Sequence, residues 1–238
     1  MDQRLTFLLF TLSIVSINGE QCDFKDQECI TLAMKRLYPV VVAGDASLGV
    51  EPSDPLKKDK IVGVFSSYNY TLTNARFHGF SNCDVREAKF NIADEPAEWH
   101  MFLDCPVLKI EMHYQMNGYV LSQWVMGEGE AECDFNKYEI SFNGDLRKEI
   151  REEGNIYIQL SNFLLTHLDV TEKATFTFNN LVSGDKERSR NVNYLLNNRW
   201  REFNSEAQGP AMRAFMGVLI DHFNQYLDEV PINEIFTY

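Results

Sequence analysis

From residue 60 to residue 182 apolar and polar positions alternate, and outside that stretch they recur at helical spacing. The clearest run is VLKIEMHYQM (107–116), where Leu108, Ile110, Met112, Tyr114 and Met116 alternate with Lys109, Glu111, His113, Gln115 and Asn117. Successive strand side chains point to opposite faces, so this pattern predicts a strand with one dry face and one wet face. The same phase recurs at Tyr68, Tyr70 and Leu72, at Trp99, Met101 and Leu103, and at Tyr138, Ile140 and Phe142. Further strands are predicted around Ile156, Ile158 and Leu160 and around Ala174, Phe176 and Phe178. With MNGY (116–119) and FNGD (142–145) read as turns, the series predicts an antiparallel meander whose dry face must be covered. Cys105 and Cys133 fall in phase with their apolar neighbours, which predicts buried thiols.

Helices are predicted at the two ends. Residues 27–38 place Ile30, Ala33, Met34 and Leu37 on one face before Pro39, which is expected to stop them. From an Asn198 cap to Val230, apolar residues including Phe203, Ala207, Ala211, Phe215, Leu219 and Phe223 keep helical spacing. At 1.5 Å per residue that segment spans roughly 45 Å, and Gly209-Pro210 is expected to kink or restart it. One long amphipathic helix and one one-sided meander each have a face to bury, and packing one on the other serves both. Between the first helix and the first strand, LGVEPSDPLKKDKI (48–61) reads as a stiff corner, because each proline fixes its own φ and holds its predecessor extended.

The first nineteen residues carry Arg4, an apolar run from Leu5 to about Val15, and then small and polar residues up to Gly19. That is the pattern of a secretory signal peptide, with cleavage expected before Glu20 or, alternatively, near Ser16. Residues 20–238 then form a single secreted, extracellular domain, and no later stretch is apolar enough to span a bilayer. Twenty-two basic residues against 35 acidic ones leave a net charge of −13. Such a surface repels phosphate backbones and anionic headgroups, which argues against nucleic acid partners and stable membrane insertion. Cys22 and Cys29 are close enough in CDFKDQEC to bridge, which ties the terminus to the first helix and contributes about 2.5 kcal/mol by loop entropy. Cys83, Cys105 and Cys133 make the total odd, so at least one thiol stays unpaired.

Taken in order, Cys22 and Cys29, LGVEPSDPL, HGFSNCDV, CPVLKIEMHYQMNGYVLS, the GEGE step at Gly127 and Gly129, and the ending NNRWREFNSEAQGPAMRAFMGVLIDHFNQYLDEVPINEIF resemble the haemolymph juvenile-hormone-binding and takeout-like family of arthropods. The resemblance covers the chain from about Cys22 to Phe236. It implies an α+β, TULIP-like fold: an elongated, curved antiparallel sheet wrapped around a long C-terminal helix, with an internal apolar tunnel for terpenoids, fatty acids or similar lipids. Burying about 400 Å² of apolar ligand surface yields roughly 10 kcal/mol at about 25 cal/mol per Å², against association costs of at least about 4 kcal/mol. Micromolar binding is therefore reachable with few polar contacts.

The expected lining is drawn from the inward residues Leu108, Ile110, Met112 and Tyr114 of the cleanest strand and Phe215, Leu219 and Phe223 of the long helix. Tyr114 and Tyr119 offer hydroxyls to an ester, epoxide or carboxyl group. No metal or other cofactor is expected. The chain has no Gly-x-Ser-x-Gly, His-Glu-x-x-His, Cys-x-x-Cys or phosphate-binding glycine loop, and His78, His100, His113, His167 and His222 are scattered, with His100 and His113 on wet faces. A carrier is expected rather than an enzyme. The alternative is an extracellular interaction or lipid-exchange protein that docks on a cell-surface or carrier protein. Asn69, in NYT, is the one Asn-x-Ser/Thr sequon and lies on the wet side of its strand, where a glycan would face solvent.

Overall fold

In the computed structural model the described residues are 21–92, 96–151 and 154–237, so the predicted signal peptide lies outside them. Helix α1 (Gln27–Ala43) is followed by strands β1 (Leu56–Val64), β2 (Tyr68–His78), β3 (Asp84–Asn91), β4 (Glu98–Val120), β5 (Gln123–Ile150) and β6 (Ile156–Phe178), and then by helices α2 (Lys186–Asn198), α3 (Trp200–Glu229) and α4 (Ile232–Ile235). All strand pairs are antiparallel, in the order β1-β2-β4-β5-β6, with β2 and β3 both pairing with β4 along different halves of its length. Helix α3 packs against both β6 and β1, so the sheet curls around it until its two edges meet the same helix. The predicted strand phases hold: Tyr68, Tyr70, Leu72, Trp99, Met101, Leu103, Tyr138, Ile140 and Phe142 are all buried.

Several boundaries differ from the sequence reading, each for a packing reason. Helix α1 runs through Pro39 to Ala43. Burial of Tyr38, Val41 and Val42 offsets the roughly 3 kcal/mol that an interior proline costs. MNGY and FNGD are not turns: both lie inside the long strands β4 and β5. Their glycines mark close approaches, because a Cβ on Gly118 would sit 2.4 Å from Ser67 O and one on Gly144 2.4 Å from Ser161 O. The β4–β5 turn is Leu121-Ser122, with positive φ at both residues. The C-terminal helix starts at Trp200 after an Arg199 cap rather than at Asn198, is preceded by a separate helix α2, and continues without a break through Pro210.

Cys22 and Cys29 are bridged, and Cys22 N donates to Phe236 O at 2.9 Å, which joins the two ends of the domain. A second bridge links Cys83 to Cys105, so Cys105 is buried but is not a thiol; Cys133 alone is free, and buried. The Cys83–Cys105 bridge fixes the corner between β2 and β3 to the middle of β4. Pro106 sits at that point opposite the gap between β2 and β3, where its missing N–H costs no ladder bond on that side.

The proline corner turns the chain from α1 into β1 and is pinned from two sides. Ser53 is fully buried, its N–H donates to Val42 O at 2.8 Å, and its Oγ shares a 2.7 Å hydrogen bond with Nδ1 of His222 on α3. The Asp54 carboxylate accepts from Gly79 N at 2.9 Å, from Ser81 N at 3.0 Å and from the Ser81 hydroxyl. Burial opposes ionisation of Asp54, but these hydrogen bonds together outweigh it and hold the carboxyl below its ordinary value.

Candidate functional site

The inward face of α3 is a continuous stripe whose character changes along its length. Phe215, Met216, Leu219, Ile220, Phe223 and Leu227 fill the sheet's interior in the C-terminal half. In the N-terminal half the same stripe reads Asn204, Ala207, Gln208, Ala211 and Met212, two of them alanines, whose single methyl leaves space at the opposite wall. There the helix and sheet line a cavity with about 60 Å³ of open space. Tyr70 and Leu72 of β2 and Ile110, Met112 and Met116 of β4 form one wall. Cys133, Phe135 and Tyr138 of β5 form the floor, with Phe176 and Phe178 of β6 and Phe203 of α3 closing the far side.

A small polar cluster interrupts this apolar lining. Gln208 Oε1 accepts from Tyr138 OH at 2.5 Å and from Asn204 Nδ2 at 3.0 Å, while Gln208 Nε2 donates to Leu168 O on β6 at 3.4 Å. Tyr70 OH donates to Ala207 O at 2.9 Å. Burial pushes the Tyr138, Tyr70 and Cys133 pKa values well above their ordinary ranges, so all three face the cavity as neutral groups. Among the described residues no lysine, arginine or histidine lines it.

Of the residues named from sequence, Ile110 and Met112 line the cavity. Leu108, Phe215, Leu219 and Phe223 are fully buried in the solid core, and Tyr114, also buried, donates through its hydroxyl to Asn179 O at 2.6 Å. Tyr119 is exposed at the β4–β5 hairpin, its ring 5.0 Å from that of Trp124. Sequence reasoning missed Tyr138, Asn204, Gln208, Ala207 and Ala211. The available signal was the change from bulky to short residues along a helix stripe at i, i+3, i+4 and i+7, because a small side chain facing a wall is what leaves space.

The histidines occupy separate places. His100 is half-buried rather than wet, with Nε2 2.9 Å from Ser141 Oγ, and burial lowers its pKa. His113 is exposed, and His78 and His167 lie beside Glu111 and Glu139. Among the described residues no group of three or more His, Cys, Asp and Glu side chains is placed to hold a metal ion, and no helix is long and apolar enough to cross a membrane. The GEGE step also has a structural explanation. A Cβ on Gly127 would lie 2.1 Å from Asn180 O and one on Gly129 2.7 Å from Asn179 O, so the glycines let the segment after β6 cross over β5.

The sequence model of the haemolymph juvenile hormone binding protein (JHBP) family matches residues 5–237. The chain belongs to that family. Among solved structures, Takeout 1 from Epiphyas postvittana matches this JHBP-family chain with a TM-score of 0.83 and 25% sequence identity, over 91% of this chain and 98% of that one. The elongated sheet around a long C-terminal helix is thus the architecture of a JHBP-family relative along nearly its whole length. Lipopolysaccharide binding protein matches with a TM-score of 0.39 and 8% identity, over 84% of this chain and 38% of that one. No curated protein matches at the level of sequence.

Proposed function

We propose that this JHBP-family chain is a secreted carrier that holds a small neutral lipophile, such as a terpenoid ester or alcohol, in the cavity between β2, β4, β5, β6 and the N-terminal half of α3. The observation that carries this reading is an apolar space whose polar wall is Tyr138, Gln208 and Asn204, with no cation among the described lining residues. A buried carboxylate needs a partner charge or several donors, whereas a carbonyl, hydroxyl or epoxide is satisfied by one or two neutral amides and hydroxyls. A fatty acid therefore enters protonated, and its affinity falls about tenfold for each pH unit above its own pKa. Ligand pockets for drug-sized molecules run to about 300–1,000 Å³, so occupancy displaces side chains from the present cavity. Met112, Met116 and Met212 are the lining residues suited to that, being unbranched and rotatable.

Thermal unfolding of delipidated protein with a panel of neutral terpenoids and fatty acids tests the reading. A ligand at a hundredfold excess over Kd stabilises the fold by about 2.7 kcal/mol, a rise of several degrees in Tm for a domain this size. The shift should be independent of pH for the neutral ligands and should fade on raising pH for the acids. Ala211→Phe, which fills the cavity from α3, should remove the shift for both. If no member of the panel moves Tm, or if Ala211→Phe binds like the parent, the carrier reading gives way to an extracellular interaction protein.

A further inference from the structure

The cavity leaves one exposed apolar surface unexplained. The β1–β2 and β4–β5 turns lie at the same end of the sheet, since Tyr68 pairs with Gly118 and Tyr119 N donates to Ser67 O at 2.7 Å. Five of the eleven large hydrophobic side chains exposed among the described residues cluster there on the convex face: Val62 (50% exposed), Val64 (76%), Tyr119 (54%), Trp124 (40%) and Met126 (56%). Scattered exposed hydrophobics are ordinary, but nearly half of them gathered at one end form a patch, and patches of this kind are normally covered.

Asn69 sits inside that patch. The register places Val64, Asn69, Asn117 and Met126 in one row across β1, β2, β4 and β5, with the Tyr119–Trp124 pair in the row next to it. Asn69 is exposed, and its neighbour Tyr70 points the other way, into the cavity wall. With Thr71 it forms the chain's single Asn-x-Ser/Thr sequon. Strands lie about 4.8 Å apart, so Met126 is only two strand spacings from Asn69, within reach of the first sugars of a glycan. Sugar C–H faces pack on aromatic and aliphatic surface while their hydroxyls stay wet.

We propose that Asn69 carries an N-linked glycan whose first sugars lie across Val64, Tyr119, Trp124 and Met126 and shield this patch. The transfer joins Asn69 Nδ2 to the anomeric carbon of a lipid-diphosphate-linked oligosaccharide. The anomeric C–O bond breaks, the lipid diphosphate leaves with the electron pair, and one amide proton passes to solvent. The proposal rests on the reading that the chain is secreted, and is independent of what the cavity binds. A membrane is the less suitable occupant: the chain carries a net charge of −13, which repels anionic lipid, and the sequon places a glycan acceptor inside the patch.

The test uses the full chain, with its own first nineteen residues, secreted from insect cells. Intact mass is measured before and after treatment with peptide N-glycosidase under native conditions, together with acrylamide quenching of tryptophan fluorescence. Trp99 and Trp200 are buried, at 1% and 8% exposure, so quenching reports Trp124. The expected result is loss of a whole glycan mass, absent from Asn69→Gln and Thr71→Ala, with a quenching constant that roughly doubles once the glycan is removed. If Asn69→Gln is not secreted, the enzymatically deglycosylated parent supplies the same comparison. No mass loss overturns the proposal, and so does unchanged quenching, which would mean that the glycan stands clear of the patch. Measurable binding of the glycosylated form to phosphatidylcholine vesicles, as tight as that of the deglycosylated form, would make the patch a membrane surface and likewise overturn it.

Discussion

A single Cβ separates two glycines of opposite meaning. Gly127 has the carbonyl of Asn180 where its Cβ would be, at 2.1 Å, and backbone cannot swing aside as a side-chain tip can. Gly127→Ala should therefore cost about 1–3 kcal/mol or more, read as a lower urea midpoint with unchanged slope. Gly217, inside α3, has only the Phe163 ring at 3.8 Å, an ordinary contact, so Gly217→Ala should stabilise by about 0.5–1 kcal/mol through helix propensity. If both changes move stability in the same direction, the close crossing over β5 is misjudged. His222, like His100, is a partly buried histidine through which pH acts on the fold near neutrality. Burial lowers its pKa, with Glu51 and Asp221 opposing. The folded state thus binds fewer protons than the unfolded one, whose histidine titrates near 6.5. That contribution is complete above about pH 6.5 and is lost as pH falls through that value toward the lowered folded pKa. Asp54 acts in a separate, more acid window: its lowered pKa stabilises above the ordinary carboxylate range and fails only as pH drops below it. His222→Gln should partly flatten the Tm profile between about pH 7 and pH 5.5, the remainder belonging to His100, while leaving the acid limb intact, and a parallel profile would remove His222 from the account.

At the level of elements, recurring side-chain clasps seal the sheet's free edges. Asn224 Oδ1 accepts from Leu160 N at 2.7 Å while its Nδ2 donates to Leu160 O at 2.9 Å. Asn197 does the same to Phe176 and Asn193 to Phe178. On β3, Thr31 Oγ1 pairs with both N and O of Ala88, joined by Gln27 Nε2. Each amide reproduces the two bonds a neighbouring strand would make, so an edge that could template aggregation is closed by a helix. Asn224→Asp keeps the acceptor but loses the donor, leaving Leu160 O facing a carboxylate. It should cost about 1–3 kcal/mol, with faster amide exchange confined to the start of β6. Loss of stability without local exchange would place the effect elsewhere. These clasps were not legible in the sequence, because a helical asparagine reads as a solvated residue until its partner strand is known. Strand phase was legible, since burial on one face of a strand writes itself as alternation at Tyr68, Tyr70 and Leu72. Strand length was not: Gly118 and Gly144 carry turn chemistry yet serve close packing inside β4 and β5.

For the whole molecule, the open question is where a core made almost everywhere of bulky side chains leaves room. Of the residues that the sequence reading set at the lining, Ile110 and Met112 face the open space, whereas Phe215 and Leu219 are fully buried beyond it. The gap lies opposite Ala207 and Ala211, and its position depends on where the α3 stripe changes character along the axis, which strand periodicity does not encode. A cavity of about 60 Å³ must grow to take a terpenoid, and the work of moving its walls is subtracted from affinity. Met212 is buried, lies on α3 beside Asn204, Gln208 and Ala211, and faces the open space. Met212→Ala pre-forms part of the required volume. Without ligand it should lower stability by about 2–5 kcal/mol, as truncation of a buried methionine does. With a saturating neutral terpenoid it should show a larger rise in Tm than the parent, because the expansion cost has moved from the binding step into the folding step. Met216→Ala is the control: Met216 is equally buried on the same helix but does not line the cavity, so it should be destabilised without any gain in the ligand-induced shift. Should Met212→Ala and Met216→Ala respond alike to ligand, the binding space lies somewhere other than beneath the N-terminal half of α3.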